Sequence, residues 1–220
     1  MGSTSAMAAG RPAGRAALIT GASSGIGAAL ARELAGRGYR LALVARRRER
    51  LAALAAEVGD GRAAAFTCDV RHRAEVEATA AAALAHLGRL DLLVLNAGVG
   101  RRSRFPDFDL EPALEVLETN LLGALYWLAP CLPALAEAEG TVVAVSSLAG
   151  RFGSPKSPAY SASKAALSTF FEGMRVATRH LPLTVLTVEP GWVRTEMTAA
   201  FRRLPFAVSA EEAARRIAAA

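Results

Sequence analysis

Short apolar runs recur along this 220-residue chain, and the stretches between them bring apolar residues back every three or four positions. Ala16–Thr20, Leu41–Ala45, Ala63–Thr67, Leu90–Leu95, Thr141–Val145 and Leu183–Val188 have the length and apolar content of buried strands. After the first run, Ile26, Leu30 and Leu34 follow Gly25 at helical spacing, and Gly36 and Gly38 end that segment. Arg50–Val58 predicts a second helix, and an alanine-rich third one runs through Leu87 to Gly88. Asp109 caps a long helix with Pro112 in its first turn; another runs from Ala159 to about Arg179. Ser209-Ala210-Glu211-Glu212 reads as a capping box that opens the last helix.

Strands that alternate with helices predict an α/β fold with a parallel, doubly wound sheet in the order 3-2-1-4-5-6. Its switch point then falls at the glycines after the first strand. A single domain over 15–220 is expected. Residues 1–14 read as a flexible leader without an apolar signal core. Leu121–Ala136 carries no charge, yet it is too short to span a bilayer and contains Pro130 and Pro133. It reads as a buried or subunit-facing helix.

Composition narrows the partners. Hydrophobic residues make up 52%, which suits a sheet covered on both faces. The formal charge of +6 is almost all arginine, since Lys156 and Lys164 are the only lysines among 26 basic residues. The arginines are scattered and no basic-aromatic surface emerges, so neither nucleic acid nor membrane is expected as a partner. Cys68 and Cys131 have no partner motif and read as buried free thiols in a reducing cytoplasm. No metal site is expected.

The chemistry starts at Thr20-Gly21-Ala22-Ser23-Ser24-Gly25-Ile26-Gly27. A strand, a glycine turn and a helix aim backbone N–H groups and the positive helix end at a phosphate. At the end of the second strand stands Arg46, followed by Arg47 and Arg48, with no acid there. Arginine offers a charged fork to a phosphate, whereas an acid would accept from a free ribose hydroxyl. Arg46, with Arg47 in reserve, therefore predicts NADP(H) over NAD(H). Further on stand Asn96-Ala97-Gly98 after the fourth strand, Ser146 and Ser147 after the fifth, and Pro190-Gly191 after the sixth. Tyr160 and Lys164, at i and i+4, share a helix face.

The pattern TGxxxGIG, then NAG, then Ser147 thirteen residues before a YxxxK pair, resembles the short-chain dehydrogenase/reductase family over roughly Arg15 to Thr198. Leu95 stands where that family shows the first asparagine of NNAG. The resemblance implies a Rossmann-type enzyme that moves hydride between a nicotinamide and a carbonyl or secondary alcohol. It assigns Tyr160 as acid–base, Ser147 as anchor of the substrate oxygen, and Lys164 as tuner of Tyr160 and holder of the ribose. An adjacent ammonium lowers a phenol's pKa, which suits that pairing. Asn120 is assigned as a relay whose backbone binds a water linked to Lys164; its alternative role is a structural bond to a neighbouring strand.

For the cofactor, the resemblance implies Gly21, Ser23, Ser24, Gly25, Ile26 and Gly27 at the phosphates. Asp69 meets the adenine or caps the helix after it, and Asn96, Ala97 and Gly98 turn beside the adenosine ribose. Pro190, Gly191, Val193 and Thr195 meet the nicotinamide carboxamide. Glu196–Ala207 is expected as a lid, with Phe152, Trp192, Met197, Phe201, Leu204 and Phe206 as an apolar pocket wall. The family's seventh strand is missing, from a truncated chain or a compensated variant. A homodimer through the long helices, with Leu122, Leu125, Tyr126 and Ala129 on the shared face, is therefore expected in place of a tetramer. A binding protein that keeps the fold without turnover is the alternative function.

Overall fold

The computed structural model describes residues 14–59 and 61–220; the leader expected over 1–14 lies outside them except for Gly14. Six parallel strands form one sheet in the order β3-β2-β1-β4-β5-β6: β1 Ala16–Thr20, β2 Arg40–Ala45, β3 Ala63–Thr67, β4 Leu92–Leu95, β5 Thr141–Val145 and β6 Thr184–Val188. That is the predicted order. Leu18 of β1 pairs in register with Ala42 of β2 and Leu93 of β4, so the first strand lies at the centre with all five residues buried.

Successive side chains of a strand point to opposite faces, and each face is covered by helices. Ala16 and Leu18 pack into the layer that holds Trp127 and Phe171, which come from α5 (Gly123–Glu137) and α6 (Pro158–Ala177). The helix α3 (Arg73–Leu87) completes this layer with Val76, Ala80 and Ala83. Ala17 and Ile19 face the other layer, built from α1 (Gly25–Gly36), α2 (Arg48–Val58) and α7 (Ala210–Ala219). Alanines on the facing sides of α1 and α7 let the two helices pack together. Each fully buried Leu or Ile contributes about 1.5–3 kcal/mol relative to exposure.

Several expectations are corrected. The fourth strand starts at Leu92, two residues late. The long helix is interrupted: α4 (Leu110–Leu117) passes into a π-helical turn, Glu118–Leu122, before α5. Continuous over Leu110–Glu137, it is long and apolar enough by length and composition to cross a membrane, beyond the shorter stretch considered above. Trp127, Cys131 and Leu135 bury its inner face against the sheet. Ser209 caps α7 by accepting from the Glu212 N–H, but the Glu212 carboxylate pairs with Arg215 and Arg216, so only half of the capping box forms. A short parallel ribbon, β7 (Val193–Arg194) with β8 (Val208–Ser209), was not anticipated. It closes the base of the expected lid, where the Arg194 guanidinium also donates to the Ala207 carbonyl.

Candidate active site

A cleft of about 600 Å³ runs along the carboxyl ends of the strands, from the glycine turn to Tyr160. At its first end, Gly21 and Gly25 have φ of 68° and 53°, which a side chain would strain. A Cβ on Gly27 would meet the Gly21 carbonyl oxygen at 2.4 Å, so this glycine serves the packing of α1 against the turn and does not line the cleft. Asn96 clamps the same turn. Its Nδ2 donates to the carbonyls of Thr20 and Gly21, while Thr20 Oγ1 accepts from the N–H groups of Asn96 and Ala97.

The arginines after β2 divide their work. Arg47 donates to Ser23 Oγ at 3.0 Å and Ser24 Oγ at 2.6 Å, and pairs with Glu196 at 2.8 Å. Arg50 takes the other Glu196 oxygen. Arg46 lines the cleft, half exposed, and is only 3.9 Å from Asp69. It is the guanidinium left most open to a new anion. Asp69 does not cap α3, whose first cap position is His72. Its carboxylate accepts from the Arg71 backbone and guanidinium, and that pairing holds it below the usual carboxylate range.

At the other end, β5 delivers two serines with different jobs. Ser146 is buried and donates to the Lys164 carbonyl at 2.9 Å. Ser147 lines the cleft, accepts from the Ala149 N–H at 3.1 Å and donates to the Pro190 carbonyl at 3.5 Å. Lys164, one turn beyond Tyr160, is 4% exposed and donates from Nζ to the Val145 carbonyl at 2.7 Å. Burial lowers its pKa to about 8. Tyr160 departs from expectation: burial pushes its phenol up, and Ser147 only partly offsets this. Lys164 Nζ is 5.9 Å from the Tyr160 ring centre and spends its hydrogen bond on the Val145 carbonyl.

Asn120 sits behind the cleft wall, in the π-helical turn. Such turns gather at functional sites because they displace backbone groups from the helical ladder. The Asn120 side chain is fully used: Oδ1 accepts from the Val99 N–H at 2.8 Å, and Nδ2 donates to the Val99 carbonyl and to Ser163 Oγ, both at 3.0 Å. The structural bond foreseen for it therefore goes to the loop after β4. Gly98 leaves space for this arrangement, since a Cβ there would lie 3.3 Å from Asn120 Oδ1.

All other expected cofactor residues line the cleft: Ser23, Ser24, Ile26, Asn96, Ala97, Gly98, Pro190, Gly191, Val193 and Thr195. Of the expected apolar wall, only Met197 does. Phe152 and Phe206 are exposed, and the Trp192 ring packs against Phe201, tilted by 52° with 5.1 Å between ring centres. Thr119 lines the cleft and reads in the sequence as one more helix residue; its hydroxyl is buried and has no hydrogen-bond partner among the described residues. A glycine cradle, paired serine hydroxyls, an open arginine and an orphaned hydroxyl suit a phosphorylated dinucleotide.

A family model described as short chain dehydrogenase matches residues 15–204. The chain belongs to this family. Among relatives, 11-beta-hydroxysteroid dehydrogenase 1A of Arabidopsis thaliana is 41% identical over 190 residues, covering 84% of this chain and 54% of the relative. An uncharacterized oxidoreductase of Myxococcus xanthus is 42% identical over 194 residues, covering 84% and 74%. The chain thus spans about half the length of the plant relatives it matches. Among solved structures, the alcohol dehydrogenase from the archaeon Thermococcus sibiricus, complexed with 5-hydroxy-NADP, superposes with a TM-score of 0.85 at 29% identity, covering 92% of this chain and 88% of that one. An actinorhodin polyketide ketoreductase variant with NADPH gives 0.85 at 31%, covering 94% and 89%. The six-stranded Rossmann-type order is the one these relatives share.

Proposed function

We propose that the protein is an NADP(H)-dependent oxidoreductase that interconverts a carbonyl compound and its alcohol. The observation that carries this reading is the meeting of Ser147, Tyr160 and Lys164 at one end of a cleft that begins at a glycine turn flanked by Arg46 and Arg47. Bound NADP(H) would supply or accept the hydride and, when oxidised, bring a positive ring to this end. Ser147 hydrogen-bonds the substrate oxygen and holds it within reach of Tyr160. Tyr160 gives its phenolic proton to that oxygen on reduction and takes it back on oxidation. The Lys164 ammonium favours the phenolate through space, and that support fades as pH rises through about 8. Asn120 keeps the Val99 loop and α6 in place through its three hydrogen bonds. With NADP(H) bound, Arg46 would hold the 2′-phosphate, Asp69 the adenine, and the residues from Pro190 to Thr195 the carboxamide.

NADPH oxidation with a panel of ketones and aldehydes tests this reading. Tyr160→Phe should lower kcat by about 10²–10⁴-fold while NADPH affinity, followed by fluorescence, stays the same. Turnover by the variant at the unmodified rate refutes the assignment.

We further propose a cytoplasmic homodimer. Two buried free thiols suit a reducing compartment. Leu114 and Leu122 on the long helix, and Phe170 on α6, leave exposed apolar surface for a symmetry mate. Light scattering should report twice the chain mass, and Leu125→Arg should halve it; a monomer or a tetramer of the unmodified chain excludes this assembly.

A further inference from the structure

Three stretches lie near the Tyr160 end: 101–108 after β4 and 196–207 between β7 and β8, which line the cleft with Arg101, Glu196, Met197 and Thr198, and 152–157 before α6, which stands outside the lining. Contacts tie them together. The Ser103 N–H donates to the Lys156 carbonyl at 3.0 Å, and the Arg102 guanidinium lies 5.6 Å from the Phe201 ring centre. A Cβ on Gly100 would lie 3.8 Å from Tyr160 Cδ2 and 3.9 Å from Met197 Sδ, which puts the start of the first stretch against the reacting end.

Two kinds of side chain are exposed on these stretches, with the Phe105 ring stacked on Phe108 at 5.6 Å. Phe105, Phe152, Met197 and Phe206 are all exposed, Phe206 completely, at 101%. Phe206 also holds φ at 55°, a conformation that glycine adopts more cheaply, and its ring buries nothing in return. Large apolar side chains grouped at the mouth of a concave site mark where an apolar ligand covers them. Arg104, Lys156, Arg202 and Arg203 are exposed on the same stretches and have no side-chain ion pair or hydrogen bond among the described residues. Arg102 touches only the Phe201 ring. Few acids oppose them: Asp109 caps α4, Glu196 is held by Arg47 and Arg50, and only Asp107 stands free. At the glycine-turn end, by contrast, Arg47, Arg50 and Arg71 are engaged with Glu196, the serines and Asp69, and Arg46 is the arginine left open among the described residues.

From this juxtaposition we infer that the substrate is an amphiphilic anion: a carbonyl compound or alcohol on an apolar body, with a carboxylate or phosphate remote from the reacting carbon. The inference rests on the reading of the Tyr160 end as the reacting end. The exposed rings cover the apolar body, and the free arginines supply charged forks to the anion. Charges this exposed also attract an anion from solution, so the effect weakens as salt shortens the screening length.

Titration calorimetry on the full chain saturated with NADP⁺ tests it, with decanoate, decyl phosphate and decanol below their micelle concentrations. At low salt, decanoate or decyl phosphate should bind about tenfold more tightly than decanol, and the tighter of the two names the group. The advantage should shrink severalfold on going to high salt. It should vanish in the combined variant Arg104→Gln, Arg202→Gln, Arg203→Gln, with melting temperature and NADPH affinity unchanged. Decanol binding as tightly as both anions, or an advantage that survives in the variant, overturns the inference. Absent NADPH binding, seen by fluorescence, instead overturns the reading of the cleft and this inference with it.

Discussion

Around the glycine turn the cleft is built from regular elements whose charges, Arg46 apart, are mutually engaged. Arg47 holds Ser23, Ser24 and Glu196, Arg71 holds Asp69, and Asn96 clamps the backbone of the turn. Around Tyr160 the walls are irregular. Lys164 is buried with only a carbonyl as partner, rim cations stand free, and aromatic rings face water. The difference fits a division of labour in which one end recognises a ligand of fixed chemistry and the other keeps unspent interactions for a substrate. A preformed site for charge costs stability when the charge has no partner.

The buried ammonium gives the sharpest way to break this contrast. Lys164 titrates near pH 8 when folded and near its ordinary value, above 10, when unfolded. Between those values the unfolded chain binds a proton that the folded chain does not, so stability rises with pH across this window. Below it, the folded state bears the full cost of the buried charge. Lys164→Met should therefore be more stable than the unmodified protein at pH 7, by about 3 kcal/mol, and lose that margin towards pH 10. Urea unfolding at pH 7 and pH 9.5 measures both. Parallel stability curves for the two proteins would show that Lys164 pays nothing for its isolation, and the contrast would fail at its centre.

At the opposite end, Arg46→Asp should raise the NADPH dissociation constant about tenfold, or about 1.4 kcal/mol, and spare or improve NADH. It replaces attraction by repulsion at the 2′-phosphate and adds a second carboxylate beside Asp69. Fluorescence titration with both cofactors decides the point. An unchanged preference would shift the phosphate to Arg47, which would then have to release Ser23, Ser24 or Glu196.

The same division governs how much could be read from the sequence. Short apolar runs punctuated by glycines delimit strands because burial on both faces demands them, and all six were found, β4 two residues too long. The glycine turn and the Ser147, Tyr160 and Lys164 set were legible because local spacing fixes their geometry. What escaped depends on distant partners. The π-helical turn at Asn120 keeps an apolar helical pattern, and its cause, the Val99 backbone, is 21 residues away. The ribbon of β7 and β8 has two residues per strand, too few to show a period. The direction of the Tyr160 shift turned on burial, which adjacency to Lys164 does not reveal. Phe152 and Phe206 stand outside the cleft lining, because apolar character alone does not distinguish a pocket wall from an exposed side chain beside it.

The smallest effect compares two strained residues, one remote from the cleft and one on the stretch beside its Tyr160 end. Glu139 and Phe206 both hold left-handed backbone, with φ of 54° and 55°. Glu139 follows α5, where the Gly140 N–H donates to the Leu135 carbonyl at 2.8 Å, so its conformation ends a helix. Glycine suits that place because it lacks the Cβ that clashes there. Glu139→Gly should raise stability by about 0.5 kcal/mol, which is about 1–2 °C in melting temperature, and leave kcat and KM unchanged. Phe206→Gly should gain a similar margin, because the exposed ring contributes no packing. Here, however, the gain should come with weaker binding of decanoate, since the ring belongs to the rim that covers an apolar body. Strain at Glu139 is then a cost of chain geometry, and strain at Phe206 is kept for a ligand. If Phe206→Gly is stabilised with decanoate binding intact, its strain has no such purpose and the two ends differ less than their charges suggest.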